Sequence, residues 1–246
     1  MKTKLIFLIA FTLSIFTFIS CEKEINNDVE DELALQELKS GLDVTNPYNA
    51  GYFHNECLVA YDSCIGLENN DTLSFDSIIN IVLGGNSTPF VYHFNEVFIL
   101  RDSIDDYAER RLQLGDISSE SFDFLMFLHE HICECDSIER VLMDIDDYIT
   151  KVDVDSLGIV DYYNIVATGS IFIESYKFWN LKLGNKYLYG NIGVEFAIVD
   201  AIGYGDCLHE IVENDPNFKP SLIGQVNNAC IEASVYSSLS WFVSQF

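Results

Sequence analysis

The chain has 246 residues, 49% of them hydrophobic, and a formal charge of −26 at pH 7. The apolar share and the length suffice for one globular domain or two small ones, which excludes a disordered chain. The acidic excess excludes nucleic-acid binding, because that depends on Lys and Arg displacing the counterions of phosphate.

Residues 1–20 read as an export signal, with Lys2 and Lys4 at the start, an apolar run from Leu5 to Ile19, and Ser20 before Cys21. A membrane-spanning helix needs roughly 17–25 apolar residues, more than this run supplies. Phe18, third before the cut, is too bulky for an ordinary secretory cleavage. A lipoprotein signal accepts a bulky apolar residue there, usually Leu, and requires the cysteine. Cys21 is therefore expected to be the lipidated first residue of the mature chain, with a diacylglycerol on sulfur and a fatty acid such as palmitate on the new amino group. Two or more such chains anchor stably. An uncleaved anchor and plain secretion are the alternatives. The lipid on Cys21 makes the membrane a partner and places the protein in the cell envelope, in the outer membrane, with its surface-facing and periplasmic sides both open.

Residues 21–45 read as an acidic flexible tether, and residues 46–246 as a single helical domain. Glu22-Lys23-Glu24 reads either as a surface-export signal or as an ordinary polar spacer. The body opens at Asn46-Pro47, proline suiting a helix's first turn. Tyr52, Phe53, Cys57, Leu58, Tyr61 and Ile65 then recur at helical spacing up to Gly66. A short helix is expected over Phe75–Leu83, between Ser74 and Gly84-Gly85. A longer one is expected beyond Pro89, through Phe94, Leu100, Ile104 and Tyr107 to Leu114, ended by Gly115. Ser118-Ser119-Glu120 supplies caps for the next, and Asp136-Ser137 restarts a helix through Ile149. Asp155-Ser156 should cap a helix from Leu157 to about Trp179.

Beyond Trp179 the pattern blurs. Asn180–Asn191 reads as a loop, Val194–Ile202 as a buried helix or a strand, and Gly203–Pro220 as irregular. Ser221 caps a last amphipathic stretch to about Val243. The expected fold class is all-α, an irregular bundle of roughly six to eight helices.

Cys57, Cys64, Cys133, Cys135, Cys207 and Cys230 remain after Cys21. Export permits disulfides among them, while irregular spacing and ample chain length favour buried free thiols.

The segment Asn46-Pro47-Tyr48, followed by Gly51-x-x-His54-Asn55-x-x-Leu58, resembles the opening of an uncharacterised family of Bacteroidetes lipoproteins. Tyr48 and Gly51 are one residue closer than in that family, and Asn49 stands where an acid is common. Ser170 to Trp179 resembles the family's Ser- and Trp-bearing helix. Ala197 to Asp200-Ala201, with Gly203 and Gly205 following, resembles its small-residue segment near the C-terminus. The resemblance implies a helical exported lipoprotein and brings no reaction with it.

Gly51, His54, Asn55 and Leu58 form the candidate structural or binding motif. As a site, His54 serves as base or ligand oriented by Asn55 or Glu56; as structure, His54 and Asn55 are partly buried, satisfy backbone groups of the long C-terminal loops and lock the first helix. His129 to Cys135 holds donor types that zinc uses, with His129 paired to Cys133 and His131 to Cys135 on diverging faces. The acidic runs around Asp144–Asp147 and Asp153–Asp155 lack the features of an EF-hand loop. Gly203-Tyr204-Gly205 lacks the lysine of a phosphate loop. With no catalytic set, metal site or cofactor evident, the expectation is a membrane-anchored interaction protein with an unidentified protein or envelope partner. An envelope hydrolase using His54 in a helical cleft and a metal-binding module around His129–Cys135 are the alternatives.

Overall fold

The computed structural model describes residues 42–65, 99–134, 137–183, 192–215 and 218–245. The signal segment, Cys21, nearly all of the expected tether and the expected Phe75–Leu83 helix lie outside the described residues. Residues 43–242 form one compact unit. Among the described residues there are eight α-helices and no strand.

The entry to the domain is fixed by small polar side chains. Asp43 Oδ1 accepts from the backbone and hydroxyl of Thr45, and Asn46 Oδ1 accepts from Tyr48 N. Pro47 then starts a single 3₁₀ turn that leads into α1, Ala50–Ile65. Asn227 Nδ2 donates to Val44 O at 2.7 Å and Tyr163 OH to Thr45 O at 2.6 Å. Val44 and Thr45, expected to belong to the flexible tether, are bonded into the domain instead.

The helix expected to run through Leu100 does not. Leu100 is extended, and Ser103 Oγ donates to its carbonyl and accepts from its amide, a local pairing that competes with the helix. A 3₁₀ turn over Arg101–Ser103 intervenes before α2, Ile104–Leu114. Gly115, at φ 77°, ends α2, and Asp116 N reaches back to Arg111 O. That closure needs a left-handed residue, which glycine supplies without a Cβ penalty.

α3 (Ser119–Glu134) is capped by Ser118, whose Oγ accepts from Ser121 N at 3.0 Å and donates to Asp161. α4 is Ile138–Thr150. The single helix expected from Leu157 is divided: Asp153 caps the one-turn α5, Val154–Leu157, and Gly158 at φ 83° separates it from α6, Ile159–Leu183. α6 runs four residues beyond Trp179, through part of the expected loop.

The largest departure is α7, Ile192–Asn214, which settles Val194–Ile202 as helix and continues through the stretch expected to be irregular. A 3₁₀ turn, Pro220–Leu222, leads into α8, Ile223–Gln245. α8 is not amphipathic, because Val226 to Ile231 are buried without interruption. The same holds for Ile165–Ile173 of α6 and Phe196–Tyr204 of α7. Helices buried around their whole circumference form the interior of a bundle, and the few polar residues in these stretches, such as Asp200 and Asn227, are buried with them. One core cluster joins α1, α6, α7 and α8, and the other joins α2, α3 and α4 to different faces of α6 and α7. The α6–α7 pair is thus shared by both cores. No helix among the described residues is long and apolar enough to cross a membrane.

Candidate functional site

Gly51, His54, Asn55 and Leu58 lie on the side of α1 that meets α6 and α7. A Cβ on Gly51 would stand 2.2 Å from Ser170 O, so the two backbones are close enough that only glycine fits. Gly51 N donates to Ser170 Oγ at 3.1 Å, and that hydroxyl donates to Tyr48 O at 2.8 Å. Asn55 Nδ2 donates to Glu174 O at 2.7 Å. Leu58 is buried in the α1-side core.

His54 is 0% exposed, and so is the carboxylate it faces, Asp200 of α7, at 3.4 Å from Nε2 to Oδ2. Its other nitrogen lies 3.2 Å from Asn55 Oδ1, whose orientation is fixed by the amide's donation to Glu174. Both edges of the ring therefore face oxygen. Asp200 Oδ2 also accepts from Ser175 Oγ at 2.5 Å and, less closely, from Trp179 Nε1 at 3.4 Å. Trp179 Nε1 donates to Ser238 Oγ at 3.0 Å, and Ser234 Oγ to Asp200 O at 2.8 Å. Asp200 Oδ1 is buried without a hydrogen-bond partner.

This network brings together side chains from α1, α6, α7 and α8, deep in the bundle. The three segments that carry the sequence resemblance meet here: Gly51 against Ser170, and His54 and Trp179 against Asp200. Neither His54 nor Asp200 has exposed surface through which a substrate could reach it. Chemically, the cluster joins helices.

The His129–Cys135 segment is divided by its helix. His129 has Cys133 Sγ 3.9 Å from Nδ1 and Asp105 3.9 Å from Nε2. His131 turns to α4, with Nδ1 2.9 Å from Phe127 O and Nε2 3.7 Å from Asp144. The two histidines do not converge, and Cys135 lies outside the described residues. Cys57, Cys207 and Cys230 are buried free thiols, and Cys133 is free and exposed. Burial raises the thiols of Cys57 and Cys207, and the Cys207 and Cys230 thiols are in hydrogen-bonding contact.

A groove of about 650 Å³ opens where α3, α4 and α5 meet. Phe127 forms its aromatic wall, with ring centroids 3.9 Å from His131 and 4.7 Å from Tyr148. Five carboxylates line it: Glu120, Asp123, Asp144, Asp147 and Asp153. Its basic side chains already face carboxylates, Lys151 with Asp147 at 2.5 Å, and Arg140 and His131 with Asp144 at 3.8 and 3.7 Å. The groove is thus acidic with an aromatic lining.

A second polar cluster joins the end of α2 to α7. Arg111 donates to Asp116 Oδ2 and Asp206 Oδ1, both at 2.9 Å, and Tyr107 OH donates to Asp206. His209 Nε2 lies 2.9 Å from Glu213 and 3.6 Å from the second oxygen of Asp116. Burial raises the Asp206 carboxyl against the pull of Arg111, and raises the Tyr107 phenol well above its ordinary range. Burial, and then Arg111, lower His209.

Sequence reasoning found Asn55 beside His54 but missed this cluster and the Asp200 partner of His54, and placed the backbone partner of Asn55 in C-terminal loops where the structure has Glu174 O of α6. His209 and Glu213 carry a readable signal, four residues apart on one helix, hidden by reading that helix as irregular chain. Asp200 carried none of its own beyond its place in an apolar run. The chain matches no family model, no curated protein and no solved structure.

Proposed function

We propose that this protein is an envelope lipoprotein, anchored by lipid on Cys21, whose helical domain acts by binding a basic segment of a partner protein rather than by catalysis. The anchor rests on the sequence from Lys2 to Cys21, and the resemblance to Bacteroidetes lipoproteins agrees with it. The groove between α3, α4 and α5 carries the binding half. At about 650 Å³ it is the size of a ligand site. Its carboxylates outnumber its bases, and the faces of Phe127 and Tyr148 attract Lys or Arg side chains by cation–π interaction.

The hydrolase reading has no comparable support, because the imidazole it needs is enclosed with Asp200, Ser175 and Trp179. Nor does the metal module around His129–Cys135, whose two histidines turn to different helices.

Full-length protein in detergent micelles, titrated with a fluorescent Arg-rich peptide and with a Glu-rich peptide of equal length, tests the reading. Since so acidic a chain attracts any cation, location must be tested with charge held equal. Asp123→Asn with Asp153→Asn, or Phe127→Ala alone, should weaken the Arg-rich peptide at least fivefold. Asp106→Asn with Glu109→Gln, exposed on α2, should not. Equal losses in both sets would reduce the binding to bulk charge and end the proposal. Separately, Cys21→Ser should abolish acyl labelling and release the protein from membranes; retention would refute the anchor.

A further inference from the structure

We propose that Asp116, His209 and Glu213 bind a divalent transition metal of the zinc class, at a site unrelated to the α3–α4–α5 groove. One ligand atom from each residue lies within 4.8 Å of the others. An ion about 2.0–2.1 Å from its nitrogen and oxygen ligands in tetrahedral geometry sets those ligands about 3.4 Å apart. The separations from His209 Nε2, 2.9 Å to Glu213 Oε2 and 3.6 Å to Asp116 Oδ1, bracket that figure. A single ring nitrogen faces both carboxylates, unlike His129, whose neighbours lie at opposite nitrogens.

The supporting structure orients these groups. His209 and Glu213 stand one turn apart on α7, so the helix sets their spacing. Asp116 arrives from another element, carried there by the left-handed turn at Gly115. Arg111 takes Asp116 Oδ2 at 2.9 Å, which leaves Oδ1 as the atom facing His209. Outer hydrogen bonds of this kind are how metal sites fix their carboxylates. Asp206 holds the other arm of Arg111 at 2.9 Å and accepts from Tyr107, so the guanidinium is braced from both sides.

Charge favours the same conclusion. Asp116 and Asp206 meet one guanidinium and Glu213 adds a third carboxylate at His209, with the exposed Arg110 acting on Asp206 from further off. A divalent ion offsets what Arg111 leaves uncompensated. Glu213 is 42% exposed against 14% for His209 and 18% for Asp116, so one side of the site meets solvent. Three protein ligands with one open side leave a coordination position for water or for a donor from a partner.

The test uses full-length protein in detergent micelles, stripped with EDTA, and titrated with Zn²⁺ by calorimetry and with Co²⁺ by visible absorption. One equivalent should bind. His209→Gln and Glu213→Gln should each weaken it at least tenfold, and His129→Gln with His131→Gln should leave it unchanged. If His209→Gln fails to fold, Glu213→Gln at its partly exposed position decides. Absence of saturable binding, equal affinity in the variants, displacement by equimolar Mg²⁺, or loss in the His129 and His131 variant instead would each overturn the assignment.

Discussion

Replacing His54 and Asp200 singly and together separates a structural role from a catalytic one. Both are 0% exposed and 3.4 Å apart, and Asp200 Oδ1 is already buried without a partner. His54→Ala leaves the remaining oxygen of Asp200 with Ser175 and the longer contact from Trp179. Leaving a buried polar group without its neighbour costs about 1–3 kcal/mol. The cavity left by the imidazole adds to this, so the upper end, about 3 kcal/mol, applies. For a domain of this size each kcal/mol moves Tm by about 2–4 °C, so the fall should be roughly 6–12 °C. Asp200→Asn keeps the shape and an acceptor, and should cost about 1–2 kcal/mol. Since the side chains touch, the double variant should lose at least ~1 kcal/mol less than the sum of the singles. Thermal unfolding followed by far-ultraviolet circular dichroism measures all three. A His54→Ala Tm within about 2 °C of the parent, or an additive cycle, would refute the reasoning and restore His54 as a functional candidate.

Gly51→Ala sets a Cβ against the backbone of Ser170 at 2.2 Å, and should destabilise by about 1–3 kcal/mol after any gain in helix propensity. Gly193→Ala, whose nearest neighbour would be 3.6 Å away, should be neutral or stabilising; the reverse order of melting temperatures would defeat the close-approach argument. Burial and the neighbouring Tyr162 raise the Tyr48 phenol to about 12, whereas an unfolded tyrosine ionises near 10. A raised folded-state value keeps its contribution intact below about pH 10 and loses it as pH climbs towards about 12. Tyr48→Phe should therefore flatten the alkaline fall in stability while losing about 1 kcal/mol at neutral pH with the bond to Ile149 O. An unchanged alkaline limb and an unchanged tyrosinate titration would count against this. Among Cys57, Cys133, Cys207 and Cys230, native alkylation mapped by mass spectrometry should reach Cys133 first, since burial keeps Cys57 and Cys207 protonated. Equally rapid modification of Cys57 would contradict the packing around α1.

What could be read from the sequence follows from position in the bundle. α1, α3 and α4 lie outside the central pair, keep an exposed face, and announce themselves by helical spacing and by caps such as Ser118. α6 and α7 are shared between two cores, and α8 is buried around much of its length, so no polar stripe marks their period. Gly203 and Gly205 compounded this by reading as breakers. Gly203 is inside α7 because a Cβ there would sit 2.2 Å from Ser237 Oγ, so close approach of α8 outweighs helix propensity. The motif on α1 was visible, but its partners were not. Asp200 is one acid in an apolar run until the fold sets it opposite His54, and the His209–Glu213 pair needs α7 to extend past Gly203 and Gly205.

The bonds at Val44 and Thr45 also have a mechanical meaning. Any pull on the chain that precedes Asp43 enters the domain where Asn227 and Tyr163 hold those two carbonyls. Asn227 Oδ1 accepts in turn from Tyr204 OH at 2.6 Å, so the load passes to α8, α6 and α7 as well as to α1, whose entry Asn49 Nδ2 ties to Asp43 O at 2.8 Å. Tension on that segment would therefore be shared among the three innermost helices instead of falling on α1 alone.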